Sequence, residues 1–138
     1  MGETQDVTND EVAIRDIVEL WASAVRRRDF EGILRSHSPD MLMFDLPPPL
    51  QSQGIDAYKK TWDLFFSAWA SDSVAFDISE MSITAGSDVA FVTALMRCAG
   101  TEATGDDIEI DFRLTIGLRK IDNQWMITHE HHSIPATQ

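Results

Sequence analysis

Two histidines stand two residues apart in the C-terminal stretch Thr128-His129-Glu130-His131-His132, a spacing that on a β-strand sends both rings to the same side. Histidine changes charge near neutral pH, so a partly buried ring can take up or release a proton during a reaction. His129 and His131 are therefore the leading candidates for proton transfer. Two other readings stay open. One makes them core histidines hydrogen-bonded to backbone or helix groups; the other makes them metal ligands, which would require a third donor such as Asp45. The zinc-protease pattern is absent, because it needs histidines four apart on a helix. Asp45 closes the apolar run Met41-Leu42-Met43-Phe44, and a carboxylate in an apolar cavity holds its proton more tightly, as a general base does. Its competing role is a turn or cap residue beside the three prolines that follow. Cys98 has no evident activating partner and reads as a small core residue. The sequence contains no Gly-rich phosphate loop, nucleophile elbow or paired CxxC.

The elements that must position these residues follow from periodicity. Thr8-Asn9-Asp10-Glu11 has capping-box spacing, and Ile14, Ile17, Val18, Trp21, Ala24 and Val25 then recur at helical intervals. The first helix is expected from about Asp10 to Arg28. Asp29 offers a cap for a short second helix, Phe30 to Ser36, which Pro39-Asp40 ends. A short strand, Met41 to Asp45, runs into Pro47-Pro48-Pro49, a run that no strand ladder accommodates. A third helix, Ile55 to Ala70, carries Tyr58, Trp62, Phe65, Phe66 and Trp69 as an aromatic stripe. Most of that stripe belongs to a core, with one or two members lining a pocket. Strand-like segments follow at 74–84, 89–99, 108–121 and 125–134, separated by Ala85-Gly86-Ser87-Asp88, Thr104-Gly105-Asp106-Asp107 and Asp122-Asn123. Helices first and sequential strands later indicate an α+β domain with an antiparallel meander. The expected layout is a disordered or extended N-terminus over 1–9, one domain over 10–135 and a tail over 136–138.

The last hairpin sets the geometry of the candidate site. With Asp122-Asn123 as a two-residue turn, Leu118 faces Ile127, Ile116 faces His129 and Leu114 faces His131. Phe112, Leu114, Ile116, Leu118, Trp125, Ile127, His129 and His131 then share the apolar, inward face. Arg113, Thr115, Arg119, Thr128, Glu130 and His132 share the other. A one-residue bulge would exchange the faces and bring Arg113 and Thr115 across from the histidine pair. On the neighbouring strand, alternation with Ala90, Val92, Ala94 and Cys98 turns Met96 inward, where an inward Arg97 would instead suit a carboxylate ligand. The expected ligand wall is Tyr58, Trp62, Phe66, Met96, Leu114 and Ile116, with Arg97, Arg113 and Thr115 as the alternative if the register shifts.

Composition bounds the rest. At 138 residues, 43% hydrophobic and 25% charged, the chain has the make-up of one globular domain. A formal charge of −12 repels phosphate backbones and anionic lipid, and Arg26-Arg27-Arg28 is the only basic cluster, placed where cations complement a helix C-terminus. Nucleic-acid and membrane partners are therefore not expected. The polar, acidic start lacks a signal-peptide pattern, no apolar run approaches a membrane span, and the single cysteine fits a reducing compartment; the expected location is cytoplasmic.

The string Arg113-Leu114-Thr115-Ile116-Gly117-Leu118-Arg119-Lys120-Ile121-Asp122-Asn123-Gln124-Trp125, continued by Met126-Ile127-Thr128-His129-Glu130-His131-His132-Ser133, resembles the final hairpin of SnoaL-like, ketosteroid-isomerase-like domains. It is also similar to the association domain of calmodulin-dependent protein kinases. Both belong to the nuclear-transport-factor-two-like superfamily, and the element order fits from Asp10 to Pro135. The resemblance implies a curved sheet closing like a cone on the first and third helices, with a pocket between them and pairing into a homodimer through the outer sheet face. It implies cofactor-independent isomerase, cyclase or dehydratase chemistry on a small apolar or carbonyl-bearing molecule. A non-catalytic ligand-binding module and an oligomerisation domain with an incidental pocket are the alternatives, because one fold hosts many functions. Two departures stand out. Ketosteroid isomerase sites use an aspartate base with a tyrosine and a protonated aspartate. Here Tyr58 is the only tyrosine, and the inward face of the late strands offers no aspartate. Ile116 occupies the position of an inward arginine in the association domains.

Overall fold

The structure is a computed structural model that describes residues 2–70 and 74–136. Helix α1 (Gly2–Arg26) turns Ile14, Val18, Trp21 and Val25 into the core and leaves Arg15, Asp16 and Glu19 in solvent, as its 3.6-residue period requires. It starts at Gly2, eight residues ahead of the expected start. The Thr8 side chain of the proposed capping box lies outside the described residues. Asp29 caps α2 (Phe30–Leu34), its carboxylate accepting from the Gly32 N–H at 3.2 Å.

Strand β1 (His37–Phe44) begins four residues earlier than the sequence suggested, and so takes in Pro39. Pairing is irregular between His37 and Leu42, and a residue without an N–H is tolerated in such a gap. Strand β2 (Ser52–Gln53) pairs antiparallel with β1, and α3 (Ile55–Ser67) follows, three residues shorter than expected. Its buried residues, Tyr58, Trp62 and Phe66, stand four apart on one face.

The chain finishes with β3 (Ala75–Ala85), β4 (Val89–Thr101), β5 (Asp107–Ile121) and β6 (Gln124–Ser133), each within two residues of its expected bounds. They form the antiparallel meander, and β1 joins it in parallel alongside β6, giving the sheet order β2-β1-β6-β5-β4-β3. The result is a curved, mixed six-stranded sheet with its concave face on the helices. Alternation on β4 buries Ala90, Val92, Ala94, Met96 and Cys98 and exposes the residues between. Met96 thus points inward, while Arg97 points out and pairs with Glu109 at 2.7 Å. No helix among the described residues is long and apolar enough to cross a membrane.

Candidate active site

The hairpin between β5 and β6 decides which groups face the interior. Asp122 and Asn123 both have positive φ (50° and 65°), the type I′ combination, and Leu118 faces Ile127 as expected. One residue later the register slips: Gly117 lies opposite His129, so Thr128 is the extra residue of a β-bulge. From there Ile116 faces Glu130 and Leu114 faces His132. The expected facing of His129 and His131 is thereby corrected, since a slip of one residue exchanges the two faces. Both rings lie on the outer face around Phe44, and His129 Nδ1 donates to the Leu42 carbonyl at 2.7 Å. Glu130 and His132, expected outside, are buried. Across from the outer pair stand Gly117 and Thr115, while Arg113 faces Ser133 and bonds its hydroxyl.

Glu130 is the hub of a hydrogen-bonded cluster contributed by four elements. Trp21 on α1 donates its indole N–H to the Tyr58 oxygen at 2.9 Å, and the Tyr58 hydroxyl on α3 donates to Glu130 Oε2 at 2.7 Å. His37 at the start of β1 donates from Nε2 to the same oxygen at 2.6 Å, its ring stacked on Tyr58. His132 donates from Nε2 to Oε1 at 3.1 Å. Burial opposes charge on Glu130, yet the hydrogen bonds from His132 and His37, with the His37 ring beside them, hold its carboxyl at about 2. Burial foremost, then the adjacent Glu130 charge, pushes the Tyr58 hydroxyl well above its ordinary value, so it remains a donor.

This cluster forms the floor of a cavity of about 1010 Å3 that opens between α3, the segment after β1, and the paired ends of β4 and β5. Trp62, Phe65, Trp69, Phe76 and Phe112 give it aromatic walls. His132 is the only member of the cluster that reaches the cavity, stacked parallel on Phe112 with ring centroids 5.6 Å apart. Its Nε2 is committed to Glu130, which leaves Nδ1 as the nitrogen for a guest. The polar lining includes Asp45, Lys60, Glu102 and Glu109, and no arginine lines the cavity among the described residues.

Of the expected site residues, Asp45 lines the cavity while its carboxylate also accepts the Leu46 N–H at 2.8 Å. Trp62 lines the cavity, and Tyr58 lies beneath it in the Glu130 cluster. Phe66, Met96, Leu114 and Ile116 are core residues outside the cavity lining. Arg97, Arg113 and Thr115 are exposed on the outer face. No three His, Cys, Asp or Glu side chains gather as metal donors among the described residues.

Residues 14–137 match the SnoaL-like domain family. This chain belongs to that family. The SnoaL-like domain shares 31% identity with an NTF2-like protein of unknown function from Pseudomonas putida KT2440, over 93% of this chain and 88% of that one, with a TM-score of 0.84. A ketosteroid isomerase-like protein from Erwinia carotovora atroseptica is similar at 21% identity, over 88% and 93% of the two chains, with a TM-score of 0.75. The association domain of C. elegans CaMKII is similar at 18% identity, over 94% and 98%, with a TM-score of 0.73. The last two likenesses are of fold. No curated protein matches the SnoaL-like domain's sequence.

Proposed function

We propose that this SnoaL-like domain binds a small apolar molecule bearing a carbonyl or hydroxyl group and moves a proton on it, in an isomerisation, cyclisation or dehydration. The observation that carries this reading is His132, a histidine fixed by a buried carboxylate at the floor of an aromatic cavity. A base oriented by a third group is the usual arrangement of an acid–base site, and an apolar pocket with a few convergent polar groups is the usual binding site. The proton-transfer role expected of His129 and His131 passes to His132, because the bulge turns those two rings away. Asp45 becomes a polar contact within the lining. Among the described residues Lys60 is the one lysine or arginine in the lining, set against Asp45, Glu102 and Glu109, which gives no concentrated positive site and suits an uncharged guest.

Deuterium exchange tests the reaction. Cyclic ketones and enones of increasing size are incubated with the protein in D2O, and α-deuterium incorporation is read by mass spectrometry. A ketone that fits should exchange faster than in buffer by roughly 10²–10⁴-fold, the contribution typical of a positioned acid–base group. The reading fails if exchange is undiminished when His132→Gln removes the ring nitrogen.

The outer sheet face belongs to the same reading as a contact between two copies of the chain. Val89, Phe91 and Leu95 lie there about half exposed (55%, 50% and 46%), the apolar side chains that such a contact would cover. Sedimentation equilibrium should give a dimer that Phe91→Glu converts to monomer; a monomeric parent protein contradicts it.

A further inference from the structure

The two histidines on Glu130 are not equivalent. His37 places Nδ1 2.9 Å from the Arg35 carbonyl and Nε2 2.6 Å from Glu130 Oε2. A carbonyl and a carboxylate are both acceptors only, so each of these contacts is a hydrogen bond only if the ring nitrogen carries a hydrogen. Glu130 also accepts from the Tyr58 hydroxyl on Oε2 and from His132 on Oε1, the bonding of an ionised carboxylate with no proton of its own to give. His37 therefore satisfies both partners in one form, the imidazolium, and the side chains of the pair are completely buried. His132 meets only one acceptor, Glu130 Oε1, at the longer distance of 3.1 Å. Charge-assisted hydrogen bonds are the shorter ones, and the difference between 2.6 and 3.1 Å fits a charged donor on one side and a neutral one on the other.

We propose that His37 is a permanent buried cation that neutralises Glu130 and so keeps His132 an uncharged ring whose Nδ1 lone pair is free for a cavity guest. This deepens the proposed function and rests on it for the use of that lone pair; the charge assignment itself rests on geometry alone. The titratable groups that meet His37 are Glu130 on β6 and Tyr58 on α3. His132 meets Glu130, with Trp21 on α1, Trp62 on α3 and Phe112 on β5 as uncharged ring neighbours. Glu130 is thus the one anion between the two rings. With His37 charged, the carboxylate is already compensated, and a proton on His132 would leave an excess positive charge in a buried cluster. Without His37, the uncompensated carboxylate would draw that proton onto His132 and consume the lone pair. His37 is a positioning residue in this scheme, acting on the guest only through Glu130 and His132.

The test is a two-bond 1H–15N spectrum of protein labelled with 15N-histidine, recorded from pH 6 to 8.5 and assigned with single His37→Gln, His129→Asn, His131→Asn and His132→Gln variants. The expected result is a His37 ring with both nitrogens protonated throughout, and a His132 ring with a hydrogen on Nε2 and none on Nδ1 at the alkaline end. In His37→Gln, the proton affinity of His132 Nδ1 should rise at least about tenfold, because a charge a few ångströms away has been removed. An unprotonated His37 nitrogen at pH 7 in the parent protein overturns the proposal, and that reading needs no variant to fold. A merely structural His37 would leave the His132 signals in His37→Gln where they were, which also overturns it. Ketone exchange that depends on His132 beside a neutral His37 would sink this inference and leave the proposed function standing; the assigned ring states without any exchange would do the reverse.

Discussion

Glu130→Ala is expected to destabilise the fold by ~3–5 kcal/mol, the cost of leaving one member of a buried ion pair without its partner. For a domain of this size that corresponds to a melting temperature lower by roughly 10–20 °C. The side chains of Glu130 and His37 are both fully buried, so the variant leaves the His37 ring without its counter-charge away from bulk solvent. Tyr58, His37 and His132 lose their common acceptor together, and Trp21, which donates to the Tyr58 oxygen, is left on a loosened partner. Glu130→Gln keeps the shape but not the charge, and should lie between the parent and alanine variants. The same carboxylate sets the acid limit of stability. Its value in the fold, about 2, lies below the ordinary 4.5, so its contribution is fully present above about pH 4.5 and drains away as pH falls toward 2. The linked free energy is about 3 kcal/mol. Thermal melts from pH 6 to 2.5 should show this loss in the parent protein and a shallower one in Glu130→Gln. A glutamine variant as stable as the parent at pH 7, with the same acid dependence, would remove Glu130 from its central place.

His132→Gln should do the opposite, with a large effect on chemistry and a small one on stability. The ring borders open cavity on one side, so losing it leaves space that water or a guest can fill. Glutamine can still donate to Glu130 Oε1. The expected destabilisation is about 1 kcal/mol, the net worth of one altered hydrogen bond. Ketone exchange should fall by roughly 10²–10⁴-fold, because glutamine offers no group that accepts a proton at neutral pH. Equal losses of stability and exchange would mean that His132 serves the fold rather than the reaction. His129→Asn and His131→Asn should leave exchange unchanged, as both rings lie across the sheet from the cavity.

Much of the architecture was legible because it depends on long periodic segments. The α1 stripe, the β4 alternation and the Asp122-Asn123 turn each have one strongly preferred solution, and Met96, Leu114, Ile116, Leu118 and Ile127 face inward as alternation requires. The site was legible only as a neighbourhood. Alternation carries no record of a single inserted residue, so Thr128 reversed every side chain that followed it on β6. Gly117 was the available signal: a glycine inside a strand often marks a bulge or a close approach, and a Cβ there would stand 3.4 Å from that of His129. His37 gave less warning. It stands two residues before Pro39, between the expected end of the second helix and the expected start of the first strand, and its role depends on parallel pairing of β1 with β6, a contact between residues 93 apart. Trp21 and Tyr58 read correctly as buried aromatics, but the chain from the Trp21 indole to the Tyr58 hydroxyl and on to Glu130 forms only through the tertiary fold.

A crystal structure with an exchanging ketone, or with a phenol of the same size that mimics its enolate, shows whether a guest in the cavity meets Nδ1 of His132. The predicted result places the reacting carbon of the ketone, or the phenol oxygen, within about 3–3.5 Å of that nitrogen, with the rings of the guest against Trp62 and Phe112. A guest bound in the cavity with its polar end at the mouth beside Asp45 and Lys60, and only apolar atoms facing His132, would contradict the account.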